Sequence, residues 1–428
     1  MGTSLRFMAA ASAIGSIIEW YDLFVYGSLV VVLSRVFFPT PNPSLSVLLS
    51  LAAFVAGAAV RPLGGALFGR IGDMAGRKRA FLLTVVVMGF GAVMTGLLPT
   101  YAAIGVAAPV LLLTLRLVQG LALGGEFGGA TVYLAEHAPQ SSRGFWTSLV
   151  QASGTLGLLF ASGAVLATTA VVGEAAFVQW GWRIPFLFSL VLVVVALAMR
   201  LKLTETPLFT ELAEKKMTSD APVRESFGNR VNLKSLAVAM AVVAGSSVIW
   251  HTAQFYSSVF MQATLKISLS DSTLVTFAAL ALGSPFFVLF GRLSDRFGRK
   301  KLILFGNLLG ALLILPIYVA MSFSAHPPAL PVLAALSFSL VLVSAMVYGP
   351  LGAYLVESFP TRLRYTSFAI AYGVGSGDIG DGTLLIAPAL AFVTGNIFAG
   401  LAWSVSVPLL TLAVGALFMR ETRGTALG

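Results

Sequence analysis

Twelve apolar stretches, each about 18–29 residues long and so long enough to cross a bilayer, follow one another along the chain at about 7–33, 45–68, 80–98, 109–135, 144–170, 183–200, 234–262, 270–291, 302–322, 331–356, 366–392 and 396–419. A helix rises about 1.5 Å per residue, so each stretch matches the ~30 Å hydrocarbon core of a bilayer. None shows the period-two alternation of a barrel strand, which leaves helices as the only spanning structure. Composition agrees: 57% of residues are hydrophobic and 10% charged, where a soluble domain carries about 25% charged residues. The expectation is an all-α integral membrane protein, inserted by its first span without a cleavable signal.

Several chemistries are excluded at once. The chain has no cysteine, which removes disulfides, thiolate metal sites and cysteine nucleophiles, and its three histidines, His137, His251 and His326, have no metal-ligand spacing. The Gly-rich run Gly124–Gly129 lies inside an apolar span, follows no strand and lacks the Gly-Lys-Ser/Thr ending of a phosphate loop. Small residues there suit close helix approach. No enzyme site, cofactor or metal is expected.

The formal charge of +10 would suit nucleic acid if it were clustered for that purpose. Most of the 27 Lys and Arg instead fall on one side of the membrane once the spans are laid out. This is the positive-inside bias, and it predicts both termini in the cytoplasm of a cell whose inner membrane holds the protein. The expected partners are therefore lipid, protons and a small substrate, with no nucleic acid and no obligate protein partner.

The chain also repeats itself. Gly69-Arg-Ile-Gly-Asp73-Met-Ala-Gly76-Arg77-Lys78 returns as Gly291-Arg-Leu-Ser-Asp295-Arg-Phe-Gly298-Arg299-Lys300. Glu136-His-Ala-Pro139 with Arg143 returns, at nearly the same offset, as Glu357-Ser-Phe-Pro360 with Arg364. Two motifs with one offset imply a six-helix unit present twice, in parallel orientation. Residues 1–200 and 234–428 would be the pseudo-symmetric halves, with the polar stretch 201–233 as a cytoplasmic linker.

The duplicated G-x-x-x-D-x-x-G-R-[KR] segment resembles the signature of the major facilitator superfamily. Glu19-Trp-Tyr-Asp22, Tyr26-Gly27, Arg61-Pro-Leu-Gly-Gly, Arg116-Leu-Val-Gln119-Gly120, Gly124-Gly-Glu126 and Gly181-Trp-Arg183-Ile-Pro185 narrow the likeness to the metabolite:proton symporters. That branch carries small carboxylates, shikimate-like acids and compatible solutes. The resemblance runs from Gly15 to Arg423. It implies the major facilitator fold, alternating access and proton-coupled import of an organic acid. Asp378 and Asp381 depart from it, because Asn, Gly and apolar residues are expected in that span.

An ionisable side chain in mid-membrane costs about 3 kcal/mol or more and asks for a function. Glu19 and Asp22 lie one turn apart in the first span, and Tyr26 shares their face. Arg116 and Gln119 share a face of the fourth. Burial disfavours a charged carboxylate and a guanidinium favours it, so a substrate carboxylate that occupied Arg116 would promote proton uptake by Asp22 and Glu19. A permanent ion pair between helices is the plain alternative. Asp378 and Asp381 form a second carboxylate pair, in a glycine-rich segment expected to bend or partly unwind. In-span acids (Glu19, Asp22, Glu126, Asp378, Asp381) outnumber the in-span bases Arg61 and Arg116. That excess favours protons as the coupling ion and leaves room for a zwitterion or amine, such as a betaine or amino acid, as cargo.

Trp250, His251 and Gln254 in the seventh span, Gln151 in the fifth, and Tyr348 and Tyr354 in the tenth complete the candidate substrate contacts. The repeated motifs read as gates: Gly69, Asp73, Arg77, Glu136 and Arg143 in one half, with Gly291, Asp295, Arg299, Glu357 and Arg364 in the other. The aspartates would cap helix amino termini across the interface, while Arg77 and Arg299 would pair with Glu136 and Glu357. Proton-driven export, or a membrane sensor without transport, would use many of the same residues. A sensor would need a signalling segment, and the only soluble stretch is the short linker.

Overall fold

The computed structural model describes residues 5–75, 77–201, 210, 214, 222–228 and 230–427. The side chains of Glu19, Asp73, Arg77 and Glu126 lie outside what is described, as does most of the linker. Among the described residues eleven helices are long and apolar enough to cross a membrane, and a shorter apolar helix, Leu82–Leu97, makes the twelfth. They are α1 (Phe7–Ser28), α2 (Pro43–Ile71), α3 (Leu82–Leu97), α4 (Ala107–His137), α5 (Gln140–Val172) and α6 (Arg183–Leu201). The second half holds α7 (Arg230–Thr264), α8 (Leu269–Phe297), α9 (Arg299–Phe323), α10 (Leu330–Glu357), α11 (Thr361–Thr394) and α12 (Leu401–Phe418).

Local chemistry sets the helix ends. Asn42 caps α2, its side chain accepting from the N–H groups of Ser44 and Leu45, with Pro43 at the first helical position. Ser268 caps α8 through the N–H of Asp271, and Gly395 closes α11 in the left-handed conformation. Leu63, Phe90, Val171, Phe323 and Leu417 stand on the outside of the bundle, where acyl chains are the solvent. Polar side chains such as Ser246, Thr252 and Asn307 turn inward and are buried.

The apolar stretches 45–68 and 270–291 end just before or at the repeated Gly-x-x-x-Asp segments, which places those segments beyond the spans. The structure puts Gly291 and Asp295 inside the last turns of α8, and Gly69 inside the helix Arg61–Ala75. The change from apolar to basic residues marks the edge of the hydrocarbon, and the helix continues past it. The turn itself falls at Gly298, whose φ of 100° favours glycine. A side chain there would also stand 2.3 Å from the carboxylate of Glu421.

The two halves meet along α5 against α8 and along α2 against α11. Both α7 and α11 widen into π-helical turns near their middles, at Thr252–Tyr256 and Gly373–Gly380. Such turns are rare and concentrate at functional sites. Here they lie immediately after His251 and immediately before Asp381.

Candidate functional site: an occluded cavity and its ion pairs

Where the halves meet, α1, α5, α7, α10 and α11 enclose a cavity lined by Trp20, Gln151, Gly154, Trp250, His251, Tyr348, Tyr372 and Ser376. Its volume is about 10 Å³, room for one water at most. A solute larger than water has no room there. Trp20 stacks on Phe24 at 5.3 Å, Phe24 on Trp250 at 5.3 Å, and Trp250 approaches Tyr348 at 6.0 Å. The walls are aromatic faces with one amide among them. Gln151 is buried, and among the described residues neither its Oε1 nor its Nε2 has a hydrogen-bond partner. A buried amide with both ends unsatisfied costs about 1–3 kcal/mol per group, which a polar ligand would recover.

Behind one wall of the cavity lies an ionic group that reaches it through His251. Arg61 Nη2 of α2 lies 2.7 Å from Asp381 Oδ2 of α11, with side-chain exposures of 4% and 2%. The approach is charge to charge without an aligned N–H···O bond, since Oδ2 and Arg61 Nε have no hydrogen-bond partner among the described residues. His251 of α7 places Nε2 against the other oxygen of Asp381. Its Nδ1 is 2.7 Å from the carbonyl of Ser247, and the Ser247 hydroxyl is 2.7 Å from that of Tyr348.

Several predicted substrate contacts lie elsewhere. Arg116 is buried inside the first half, donating from Nη2 to Thr95 Oγ1 at 3.1 Å and stacking over the Tyr26 ring at 4.6 Å. Tyr26 in turn donates to the carbonyl of Ser50 at 3.0 Å. Asp22 is buried and acts on Arg116 electrostatically. Gln119 donates to Met88 O at 3.1 Å. None of these four lines the cavity. Gln254 accepts from Thr155 at 2.9 Å and donates to Ser344 at 2.9 Å, beside a separate small cavity. Tyr354 lines a cavity at the basic face together with Glu357.

Asp378 is exposed on the outside of α11, apart from the Asp381 contacts. The reason is the π-helical turn, in which Asp381 N–H bonds back to Ser376 O at 2.8 Å. A wider turn rotates less per residue, so residues three apart fall further short of a full turn and point in more different directions than in an α turn. Reading the two aspartates as one paired site assumed α geometry.

The face with the repeated basic motifs is shut by ion pairs. Asp295 accepts from the N–H groups of Gly144 and Phe145, each at 2.9 Å, capping the start of α5 across the interface, and also meets Arg299 at 2.8 Å. Glu357 receives Arg143 at 2.9 Å, Arg299 at 3.2 Å and the Thr422 hydroxyl at 2.7 Å. Arg364 meets Glu136 at 3.2 Å. Gly291 lies against Ser148 of α5, where a side chain would stand 2.3 Å from Ser148 Cβ, while Gly69 faces Thr366 of α11 at an ordinary 3.4 Å. The opposite face is shut by rings: Phe255 of α7 packs against Phe24 at 5.9 Å and Phe54 at 5.4 Å.

Sequence reasoning named Gln151, Trp250, His251 and Tyr348 and missed Trp20, Tyr372, Ser376 and the partner role of Arg61. Arg61 had left a signal, because a mid-span arginine requires a carboxylate somewhere. The sequence offered five in-span acids and no way to choose among them.

Two six-helix halves around an occluded cavity, clamped on one face by reciprocal ion pairs, define a membrane carrier of the major facilitator type. The model of the family described as "Sugar (and other) transporter" matches residues 8–226 and 209–427. The proline/betaine transporter of Escherichia coli (strain K12) is 32% identical over 86% of this chain and 75% of its own length. The shikimate transporter of the same strain is 34% identical over 98% of this chain and 95% of its own. Among solved structures, the proton:xylose symporter XylE bound to 6-bromo-6-deoxy-D-glucose superposes with a TM-score of 0.79 at 20% identity, covering 99% of this chain and 97% of that one. The chain belongs to the sugar (and other) transporter family of the major facilitator superfamily, and it is a metabolite transporter.

Proposed function

We propose that the chain is a proton-coupled symporter that imports a small carboxylate-bearing metabolite across a bacterial inner membrane, with its basic face in the cytoplasm. The observation that carries this reading is the occluded cavity. An unsatisfied Gln151 amide, aromatic walls and a buried ionic group converge on it from both halves. Gln151 offers hydrogen bonds to a carboxylate, and the rings of Trp20, Trp250, Tyr348 and Tyr372 offer faces to a cation. A zwitterion such as a betaine or proline satisfies both, and the proline/betaine relatives support that choice. A plain organic acid is the second reading, favoured by the shikimate relative.

In this reading the halves 1–200 and 234–428 rock about the cavity. Asp295, Arg143, Glu357, Arg299, Glu136 and Arg364 hold the cytoplasmic face closed, and Phe24, Phe54 and Phe255 close the other. Asp22, with Arg116 as its counter-charge, is the proton carrier of the first half. Proteoliposomes with an imposed pH gradient test this. Glycine betaine, L-proline, shikimate and xylose are offered in turn, and tracer uptake is read beside internal pH. Accumulation of one compound with matching acidification of the lumen is the expected result. Accumulation indifferent to the pH gradient would remove proton coupling. Orientation is open to a direct check because the chain has no cysteine. Gln140→Cys should react only with a permeant maleimide added to intact cells, and Glu174→Cys with an impermeant one.

A further inference from the structure

We propose that His251, Asp381 and Arg61 form a second, substrate-linked proton site, in which a proton on His251 turns the cavity wall positive and prepares it for a carboxylate. The proposal rests on the transport reading above and assigns to it a coupling residue on the substrate cavity itself.

The hydrogen-bond chemistry of His251 carries the inference. A backbone carbonyl only accepts, so Nδ1, 2.7 Å from Ser247 O, must donate. A neutral imidazole has one N–H, and this contact uses it. Yet Nε2 lies against a carboxylate oxygen of Asp381, and two lone pairs cannot meet there. A second proton must lie between them. With Arg61 2.7 Å from the other carboxylate oxygen as its counter-charge, Asp381 is the carboxylate of the group and His251, holding the second proton on Nε2, its imidazolium.

The charge count follows. With the proton, Arg61 and His251 outweigh Asp381 and the buried group is positive. Without it the group is neutral. His251 lines the cavity, so the positive state offers a substrate carboxylate a counter-charge and the neutral state does not. By linkage, substrate then strengthens proton binding by the same factor that the proton strengthens substrate binding.

Ser247 is on α7, the Tyr348 hydroxyl on α10, and Tyr372 and Ser376 on α11, each within the hydrogen-bond network of Tyr348. Asp378, also on α11, acts on both Arg61 and Asp381 from its exposed position. Packing holds the group together. A side chain at Gly380 would stand 3.1 Å from His251 Nδ1 and 2.6 Å from Ser247 Cβ, and one at Gly377 would stand 3.2 Å from Arg61 Cδ. Two glycines one turn apart thus let α11 lie against both cations. Arg61 comes from the first half and the other two residues from the second, so loss of the proton changes a contact between the bodies that move.

The test is ¹⁵N NMR of the full chain labelled at histidine, in lipid nanodiscs, from pH 5 to 9. The chain has three histidines, and His251→Gln assigns the signal. We expect both ring nitrogens of His251 to be protonated at low pH, with one proton lost as pH rises. Asp381→Asn should leave His251 neutral at much lower pH, and so should the double variant Arg61→Gln/Asp381→Asn, which removes both buried charges if the single variant folds poorly. Asp22→Asn should leave the His251 titration unchanged. Glycine betaine, L-proline or shikimate, whichever binds, should move the His251 transition to higher pH, and its Kd should weaken about tenfold per pH unit above the transition. A His251 that keeps one protonated nitrogen across the whole range, or that titrates alike in wild type and Asp381→Asn, overturns the proposal. So does a His251 that titrates but ignores a compound shown to be transported. If none of the compounds is transported while His251 titrates as expected, the proton site stands and the choice of substrate fails.

Discussion

Arg61 and Arg116 are both guanidiniums buried near the middle of apolar helices, and the structure gives them opposite surroundings. Arg116 is enclosed within one half by Tyr26, Thr95 and the field of Asp22, so whatever it does it carries along when that half moves. Arg61 crosses to the other half and holds Asp381 at 2.7 Å. A charge satisfied inside one rigid body stabilises that body. A charge satisfied between two bodies senses their arrangement. The second kind is the one connected to the cavity, through Asp381 and His251.

Arg61→Ala leaves Asp381 without its arginine, a loss of about 3–5 kcal/mol for a broken buried pair. Transport should fall at least a hundredfold, and Arg61→Gln/Asp381→Asn should regain most of the thermal stability in detergent while remaining inactive. If Arg61→Ala alone is as stable as wild type, the pair does not join the halves. Arg116→Ala removes the cation–π contact and the Thr95 bond, about 2–3 kcal/mol together. It should impair proton-driven accumulation while leaving substrate Kd within about threefold. A larger change in Kd would bring Arg116 back to the substrate.

Gln151→Leu addresses the cavity between them. It should raise KM about tenfold, equivalent to about 1.4 kcal/mol, and leave the melting temperature unchanged or higher, because an unsatisfied amide is removed. The smallest effect is expected of Thr95→Val, about 1 kcal/mol of stability from one hydrogen bond to Arg116, with uptake close to wild type. Scanning calorimetry or a fluorescence melt reads both.

These contrasts mark what could be read without coordinates. The twelve helices were legible because hydrocarbon imposes one length and one composition on every span, and their duplication was legible because two separate motifs shared an offset. Short-range chemistry at the basic face was legible in residue type, so the Arg299–Glu357 pair was named in advance, while the partners of Arg143 and Arg364 in the opposite half were not. Arg116 and Arg61 show where such reading stops. In sequence each is an arginine in an apolar span, and only helix packing decides which one faces the other half. The glycine-rich run before Asp381 announced a distorted helix. The sense of the distortion, which turns Asp378 outward and Asp381 inward, depends on π-helical hydrogen bonds that no spacing rule reveals.

The stretch that follows α12 has a practical consequence. Glu421 accepts from the N–H groups of Arg299 and Lys300, Thr422 donates to Glu357, and Thr425 O accepts from Arg143 of the first half. This short strand of chain is thus stitched to both bodies at the place where they part. A fluorophore on Ala426 would sit on the seam, and a change in its emission on adding substrate would show whether the seam opens. By the same token, a bulky fusion placed there would wedge the seam, and measured rates would then describe the fusion as much as the protein.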